Sequence, residues 1–383
     1  IEVIPFSVNN PQNEPTEYSK YFAKPRSKQL MYADTKKTFS NLMGMLRATI
    51  WNYDAERRLR RLIRDTKPDA VYILHEINHL SPSIIRAAKK EGIRVVHRIS
   101  DFFMFCAKYD FLYGEEICEA CIHRDYSEAI KKRCVKDSDF GTRLRIAAMK
   151  LYWMNGVFDD VDAYISTCEF SKVKMIEGGI PKGKIVCIPT FIDFTGIKPS
   201  YIYEHYFLFL GRMAHQKGTI YAIQAMEYLK DTDYVLKITG SLTNSDEDQL
   251  LWNYINKHGL ENKIVFTGFL HGKELEMLIS QATCIICPAI WYENMPNTVI
   301  EAYAYGKPVI ASNIGSLAEI VEDGKTGYLF ETKNAKDLSE KCMKLVNNPA
   351  LCRALGENAR RICESKYNVE KHMDKVIMCL KGN

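Results

Sequence analysis

Short β-branched or aromatic runs that alternate with helical periods predict an α/β fold, two parallel sheets flanked by helices and facing a common cleft. Two further observations support it. The alternation breaks off over 189–205, where Pro189, Pro199 and weak periodicity mark a linker, and then restarts. The chain has 383 residues, 46% of them hydrophobic, enough for two domains that each bury a core.

The elements follow in order. Ile1 to Val8 reads as a strand, with Pro5 pointing to an edge position. Thr38 to Arg64 sets Phe39, Leu42, Met43, Leu46, Ile50 and Trp51 near a 3.6-residue spacing and ends basic, as a long helix does. Ala70 to Leu74 reads as a strand, Ser81 to Glu91 as a helix and Ile93 to His97 as a strand. After an irregular stretch a helix is expected over roughly Thr142 to Gly156. Ala163 to Ser166 reads as a strand, Phe170 to Glu177 as a helix closed by Gly178 and Gly179, and Ile185 to Ile188 as a strand. Beyond the linker, strands are expected near Tyr206–Leu210, Tyr234–Thr239, Ile264–Thr267, Thr283–Cys287 and Pro308–Ala311, with helices between them. The last helix is expected from about Val369 to Leu380. Such βαβ units make Rossmann-like domains, whose ligands sit outside the carboxyl ends of the strands.

Composition excludes several classes. Fifty-two basic and 47 acidic residues leave a net charge of +5, which does not call for nucleic acid. The excess is concentrated, because Lys131 to Lys150 holds seven Lys/Arg against two Asp. No run reaches the roughly 18 apolar residues of a membrane span, and no cleavable signal pattern opens the chain. The 12 cysteines are scattered, with Cys168, Cys187, Cys284 and Cys287 inside apolar runs. That reads mostly as small buried hydrophobes in a reducing, cytoplasmic setting. The first residue is Ile1, directly in a strand-like run, so the start is expected to be truncated.

The most informative stretch is Glu293-Asn-Met-Pro-Asn-Thr-Val-Ile-Glu301, followed by Gly306-Lys-Pro308. Eight helical steps of about 100° would leave the two carboxylates roughly 80° apart, so a shared helical face explains them poorly. Pro296 marks a helix start instead. Glu293 then lies on the loop after a strand and Glu301 lies inside the helix. The free N–H groups of the helix start, near Asn297, Thr298 and Val299, suit a phosphate between them. The plain alternative is a helix with two solvated glutamates. Upstream, the strand ending at Leu210 runs into Gly211-Arg212, and Lys217-Gly218 opens the next helix. A guanidinium that chelates phosphate oxygens and an ammonium that acts as a point charge can meet one anion there.

In order, Gly211-Arg212, Lys217-Gly218, Gly268-Phe269, the Glu293/Glu301 pair, Gly306-Lys-Pro308 and Gly324-Lys-Thr-Gly327 resemble the donor half of retaining GT-B glycosyltransferases of family 4. The resemblance covers about residues 200–365. It implies a GT-B fold with an acceptor-side domain over 1–190, a donor domain over 200–365 and a final helix over 366–383 that crosses back. It also implies that Arg212 and Lys217 hold a nucleotide diphosphate, that Glu301 binds ribose and that Glu293 contacts the donor sugar. The Thr298 and Val299 amides would lie near the phosphates, and Gly268-Phe269 near the base.

The first half resembles the family more loosely. His75 to Leu80 with Ser81-Pro82-Ser83 resembles the family's second βα unit. Val95 to Cys106 resembles the segment that carries a His-Asp pair facing the donor. Here the pair is Ser100-Asp101, and His97 lies three residues too early to replace the histidine. The first strand and Gly-rich turn of the family are absent from this sequence.

Three further features need a reading. Cys106, Cys118, Cys121 and Cys134, with gaps of 11, 2 and 12, fit a structural four-thiolate zinc site, with His123 as a spare ligand. Free thiols or a disulfide fit them too. The basic window leads into a helix where Arg143, Arg145 and Lys150 interleave with apolar residues. It suits either an anionic membrane surface or packing on its own domain. Asp160-Val-Asp162 precedes a strand and reads as a loop feature. No G-x-G-x-x-G, Walker-type or H-E-x-x-H motif occurs.

The resemblance therefore implies a glycosyltransferase. It would move a sugar from a nucleotide-diphosphate donor to a saccharide or lipid-linked acceptor, with retention and without an essential metal. Glu293 and Asp101 are the expected catalytic-side contacts. The expected place is the cytoplasm or the inner face of the cytoplasmic membrane, in surface-polysaccharide or glycolipid synthesis. A second reading is a nucleotide-sugar-binding or scaffold subunit completed by a partner, motivated by Ser100 and the absent turn.

Overall fold

A computed structural model describes residues 1–25, 50–76, 79–241 and 246–382. The first lobe contains α1 (Tyr53–Thr66), β1 (Ala70–Ile73), α2 (Ser83–Lys90), β2 (Arg94–Arg98), a hairpin of β3 (Leu112–Tyr113) and β4 (Glu116–Ile117), α3 (Ser127–Lys131), α4 (Asp139–Met154), β5 (Ala163–Ser166), α5 (Glu169–Glu177) and β6 (Ile185–Cys187). Its main sheet runs β1-β2-β5-β6, all parallel. The strands are short, and all but β2 are nearly continuous in apolar residues. Asn52 starts α1 by accepting the Ala55 amide at 3.0 Å. The part of the expected long helix before residue 50 lies outside the described residues.

Ile1 to Val8 is not a strand. Apart from a single bridge between Val8 and Ala23 it is irregular, and β1 is the first strand of the sheet. Pro5 removes a ladder donor. The alternating Ile4, Phe6 and Val8 instead lie half-buried against the lobe's core.

The second lobe contains β7 (Tyr206–Leu210), α6 (Thr219–Ala225), β8 (Val235–Thr239), α7 (Asp246–His258), β9 (Ile264–Gly268), α8 (Gly272–Gln281), β10 (Cys284–Cys287), α9 (Asn297–Ala304), β11 (Val309–Ser312), α10 (Gly315–Ile320), β12 (Gly327–Phe330), α11 (Ala335–Val346), α12 (Pro349–Lys366) and α13 (Val369–Lys381). The strands are parallel in the order β12-β11-β10-β7-β8-β9. This is the doubly wound order, and its reversal lies between β7 and β10. The sixth strand, β12, was not among the expected ones, since four residues behind a Gly-Lys-Thr-Gly turn give little pattern to read. Helix α13 packs Val376 and Cys379 onto Val96, Ala163 and Ile165 of the first lobe's sheet. Arg94 Nε donates to the Cys379 carbonyl at 3.0 Å there. Among the described residues no helix is long and apolar enough to cross a membrane.

Candidate active site

The reversal between β7 and β10 opens a crevice at their carboxyl ends, and the chain brings cations and a carboxylate into it. Gly218 starts α6 in a left-handed turn, φ +66°, and a Cβ there would lie 2.0 Å from the Pro288 carbonyl oxygen. The loops after β7 and β10 therefore run against each other, and Ile290 N donates to Gln216 O at 3.0 Å. Lys217 is thereby set beside Glu293: its Nζ lies 2.6 Å from Glu293 Oε1, an oxygen that also accepts from Trp291 Nε1 at 2.7 Å. Glu293 is 8% exposed, and its carbonyl accepts from Ser316 Oγ. Burial and the Glu293 charge push the neighbouring Cys287 thiol up to about 12, so it stays protonated.

Arg212 is exposed at the same strand end, and its charge reaches Tyr109 of the opposite lobe. Pro296 is the N-cap of α9 and supplies no side-chain cap, which leaves the Asn297 and Thr298 N–H groups to ligand or water, whereas Val299 N, expected near the phosphates, donates to Pro296 O at 3.1 Å. Asn297 is exposed, Thr298 half-buried and Val299 buried. Glu301, a turn further on, is half-buried and has no hydrogen bond or ion pair from its carboxylate among the described residues; burial pushes its carboxyl up. Gly268 ends β9, two strand spacings or roughly 10 Å from β7, and Phe269 next to it is 73% exposed. The remaining motifs are scaffold. Lys307 is fully buried and donates to the Ile202 carbonyl at 2.9 Å, pinning the linker. Thr326 pairs with the Tyr303 hydroxyl at 2.6 Å.

Across the cleft, Asp101 Oδ1 accepts from the Phe103 amide at 3.0 Å, and Oδ2 lies 3.5 Å from His75 Nδ1. Burial pushes Asp101 up. Ser100 turns away and donates to the Leu74 carbonyl. His97 is buried, with Nε2 2.9 Å from Glu76 Oε2. His75, two residues past the end of β1, is the imidazole beside Asp101; its place beyond the carboxyl end of a strand was the signal for it. Asn294 had no comparable signal. It joins the lobes next to Glu293: Nδ2 donates to the Ile99 carbonyl at 2.6 Å, while Thr167 donates to Oδ1 at 3.0 Å.

Cys106, Cys118, Cys121 and Cys134 are free thiols, and burial with the charges of the other three holds Cys121 up at about 12. Among the described residues no group of three or more His, Cys, Asp or Glu side chains is set to hold a metal ion. Asp160 and Asp162 pair with Arg86 and Lys89, both at 2.8 Å, as local pins. Arg145 of the basic window points inward, its guanidinium 4.4 Å from the centre of the Phe103 ring.

Comparison with known families bears on this crevice. Residues 198–362 match the glycosyl transferases group 1 model, and residues 21–195 match the glycosyltransferase family 4 model. The chain belongs to this glycosyltransferase family. An uncharacterized glycosyltransferase of Methanocaldococcus jannaschii is 29% identical over 209 residues, 49% of this chain and 56% of that protein. Spore coat protein SA of Bacillus subtilis is 27% identical over 184 residues, 46% of this chain and 48% of its own. The match thus spans about half the length of these curated relatives. Among solved structures, Anabaena HepE in complex with UDP superposes with a TM-score of 0.66 at 17% identity, covering 85% of this chain and 82% of that one. The shared architecture is GT-B, two Rossmann-like domains with parallel sheets.

Proposed function

We propose that this member of the glycosyltransferase family moves a hexosyl group from a nucleotide-diphosphate sugar to an acceptor hydroxyl with retention of anomeric configuration. The observation that carries it is the Lys217–Glu293 pair at the β7/β10 reversal, with Arg212 after β7 and the uncapped start of α9 after β10 on the flanking loops. HepE, solved with UDP-glucose, supports a nucleotide-sugar donor. In the reaction the bond from C1 to the diphosphate oxygen breaks and its electron pair leaves with the phosphate. The acceptor oxygen forms the new bond to C1, and its proton passes to the departing phosphate oxygen. Arg212, Lys217 and the α9 amides stabilise the charge gathering on the diphosphate, an electrostatic effect fixed before the reaction. Glu293 orients the sugar and favours its oxocarbenium character. Glu301 accepts from the ribose hydroxyls, and Phe269 offers the base a ring.

On the acceptor side, His75 beside Asp101 supplies the imidazole that Ser100 does not, which favours an enzyme over a binding subunit. The outer stripe of α4, Phe140, Arg143, Ala147, Lys150 and Met154, is exposed. It supports a lipid-linked acceptor met at an anionic membrane surface, and through it a role in surface-polysaccharide or glycolipid synthesis. Thermal-shift screening against UDP-, GDP-, ADP- and dTDP-hexoses, followed by detection of the released nucleoside diphosphate, tests the proposal. Stabilisation by one nucleotide class is expected. No response to any class would refute it.

A further inference from the structure

The loop that follows β2 carries the four cysteines, and it also reaches the donor loop of the other lobe. It is folded tightly on itself. Cys106 N donates to Phe102 O at 2.8 Å, Tyr109 N to Cys106 O at 3.1 Å and Phe102 N to Tyr109 O at 3.1 Å. Tyr109 and Phe111 both take left-handed backbone, φ +76° and +50°, a region that favours glycine and that bulky residues keep only when their surroundings hold them there. The result aims two rings across the cleft. Tyr109 meets Trp291 edge-on, centroids 6.2 Å apart, and Phe111 meets Tyr292 edge-on at 6.3 Å.

Trp291 is no passive neighbour, since its Nε1 donates to Glu293 Oε1 at 2.7 Å and Lys217 Nζ lies 5.7 Å from its ring centre. Tyr109 therefore supports the side chain that orients Glu293. Burial, and after it the Asp110 charge, push the Tyr109 hydroxyl up, so it stays protonated. It makes no hydrogen bond among the described residues. A neutral O–H without a partner is a donor available to a third party.

We propose that Tyr109 closes the sugar side of the donor site, its free hydroxyl donating to a hydroxyl of the transferred hexose while its edge contact with Trp291 sets the Glu293 carboxylate that reads the sugar. Tyr109 is on this view a specificity-determining residue for the transferred hexose, and not for the nucleotide. The inference rests on the donor-site reading given above. A site that hydrogen-bonds a substrate hydroxyl discriminates steeply against a sugar that misplaces it, because the protein group is then left unpaired.

The probes are UDP and two hexoses on UDP that wild type separates most widely, or the GDP, ADP or dTDP set where screening selects that base. Tyr109→Phe keeps the ring packing and removes the hydroxyl; Tyr109→Ala removes both. Both variants are expected to bind the nucleoside diphosphate within about threefold of wild type. The ratio of kcat/KM between the two hexoses should fall by about tenfold or more in Tyr109→Phe, and kcat should fall further in Tyr109→Ala. An unchanged ratio in Tyr109→Phe overturns the proposal. So does a loss of nucleoside diphosphate affinity in step with kcat/KM, which marks a structural role. Failure of the underlying reading looks different, because wild type then binds none of the nucleoside diphosphates.

Discussion

Arg212 and Lys217 are two cations at the end of one strand, yet the structure predicts different consequences for their loss. Arg212 is exposed and its guanidinium makes no hydrogen bond or ion pair among the described residues, so Arg212→Ala should change stability by less than about 0.5 kcal/mol. Lys217 is paired with Glu293 at 2.6 Å, their side chains 24% and 11% exposed. An exposed pair contributes about 0–1 kcal/mol, and breaking a buried one costs about 3–5 kcal/mol. Lys217 keeps enough solvent contact to belong nearer the lower range, so Lys217→Ala should cost about 1–2 kcal/mol. At about 2–4 °C per kcal/mol for a domain of this size, that is a fall of about 2–8 °C in Tm. Both variants should lose a hundredfold or so in transfer, the usual effect of removing one charge-stabilising donor. Differential scanning fluorimetry reads the first effect and release of nucleoside diphosphate from the donor reads the second. Equal Tm for the two variants would refute the argument from the ion pair. Arg212→Ala turnover within about threefold of wild type would refute the diphosphate assignment.

Glu301→Gln should trade affinity for stability. Burial raises the folded carboxyl above its ordinary value, so the ionised group destabilises the fold increasingly as pH rises through that range. At pH 7 the glutamine variant should have an equal or higher Tm and bind nucleoside diphosphate about tenfold more weakly; calorimetric titration showing unchanged affinity would remove the ribose role. His75→Ala should move the acid limb of the kcat/KM profile to higher pH, because His75 lowers the carboxyl of Asp101 that burial raises. A limb that stays in place would separate His75 from Asp101 in function. Lys150→Ala should weaken sedimentation with phosphatidylglycerol vesicles about fivefold, since one surface cation contributes about 1 kcal/mol. Equal sedimentation of the variant would count against the α4 surface.

The fold was legible where the pattern is local. Ala163–Ser166 and Tyr206–Leu210 read to the residue because both are unbroken apolar runs between turn signals. Ile1–Val8 misled because its alternation serves packing without a ladder, and a missing strand partner leaves no mark in the sequence. Arg212, Lys217 and Glu293, the residues of the proposed donor site, could be picked out together because strand ends and helix starts carry a local grammar. Lys307 shows its limit, since a buried lysine bonded to a linker carbonyl looks in sequence like any other lysine in a loop. Tyr109, Asn294 and Arg145 were opaque for a different reason. Their surroundings are fixed by contacts far along the chain, such as Asn294 to Ile99, 195 residues away.

The Lys217–Glu293 pair raises one objection to the proposed chemistry, that a lysine bound to a glutamate is unavailable to a diphosphate. Counting donors and acceptors answers it. An ammonium has three N–H groups, and the pair with Glu293 engages one, leaving two for phosphate oxygens. Glu293 directs Oε1 to Lys217 and Trp291, while Oε2 accepts from none of the described residues and is left for a sugar hydroxyl. The pair can thus touch the leaving group with one end and the sugar with the other without being broken. Glu293→Gln separates this arrangement from a merely structural ion pair. The amide oxygen can still accept from Lys217 and Trp291, so Tm and nucleoside diphosphate affinity should change little, but the sugar then meets an N–H donor without negative charge. Transfer should fall by about a hundredfold or more. A glutamine variant that transfers normally would show that the carboxylate only holds Lys217 in place.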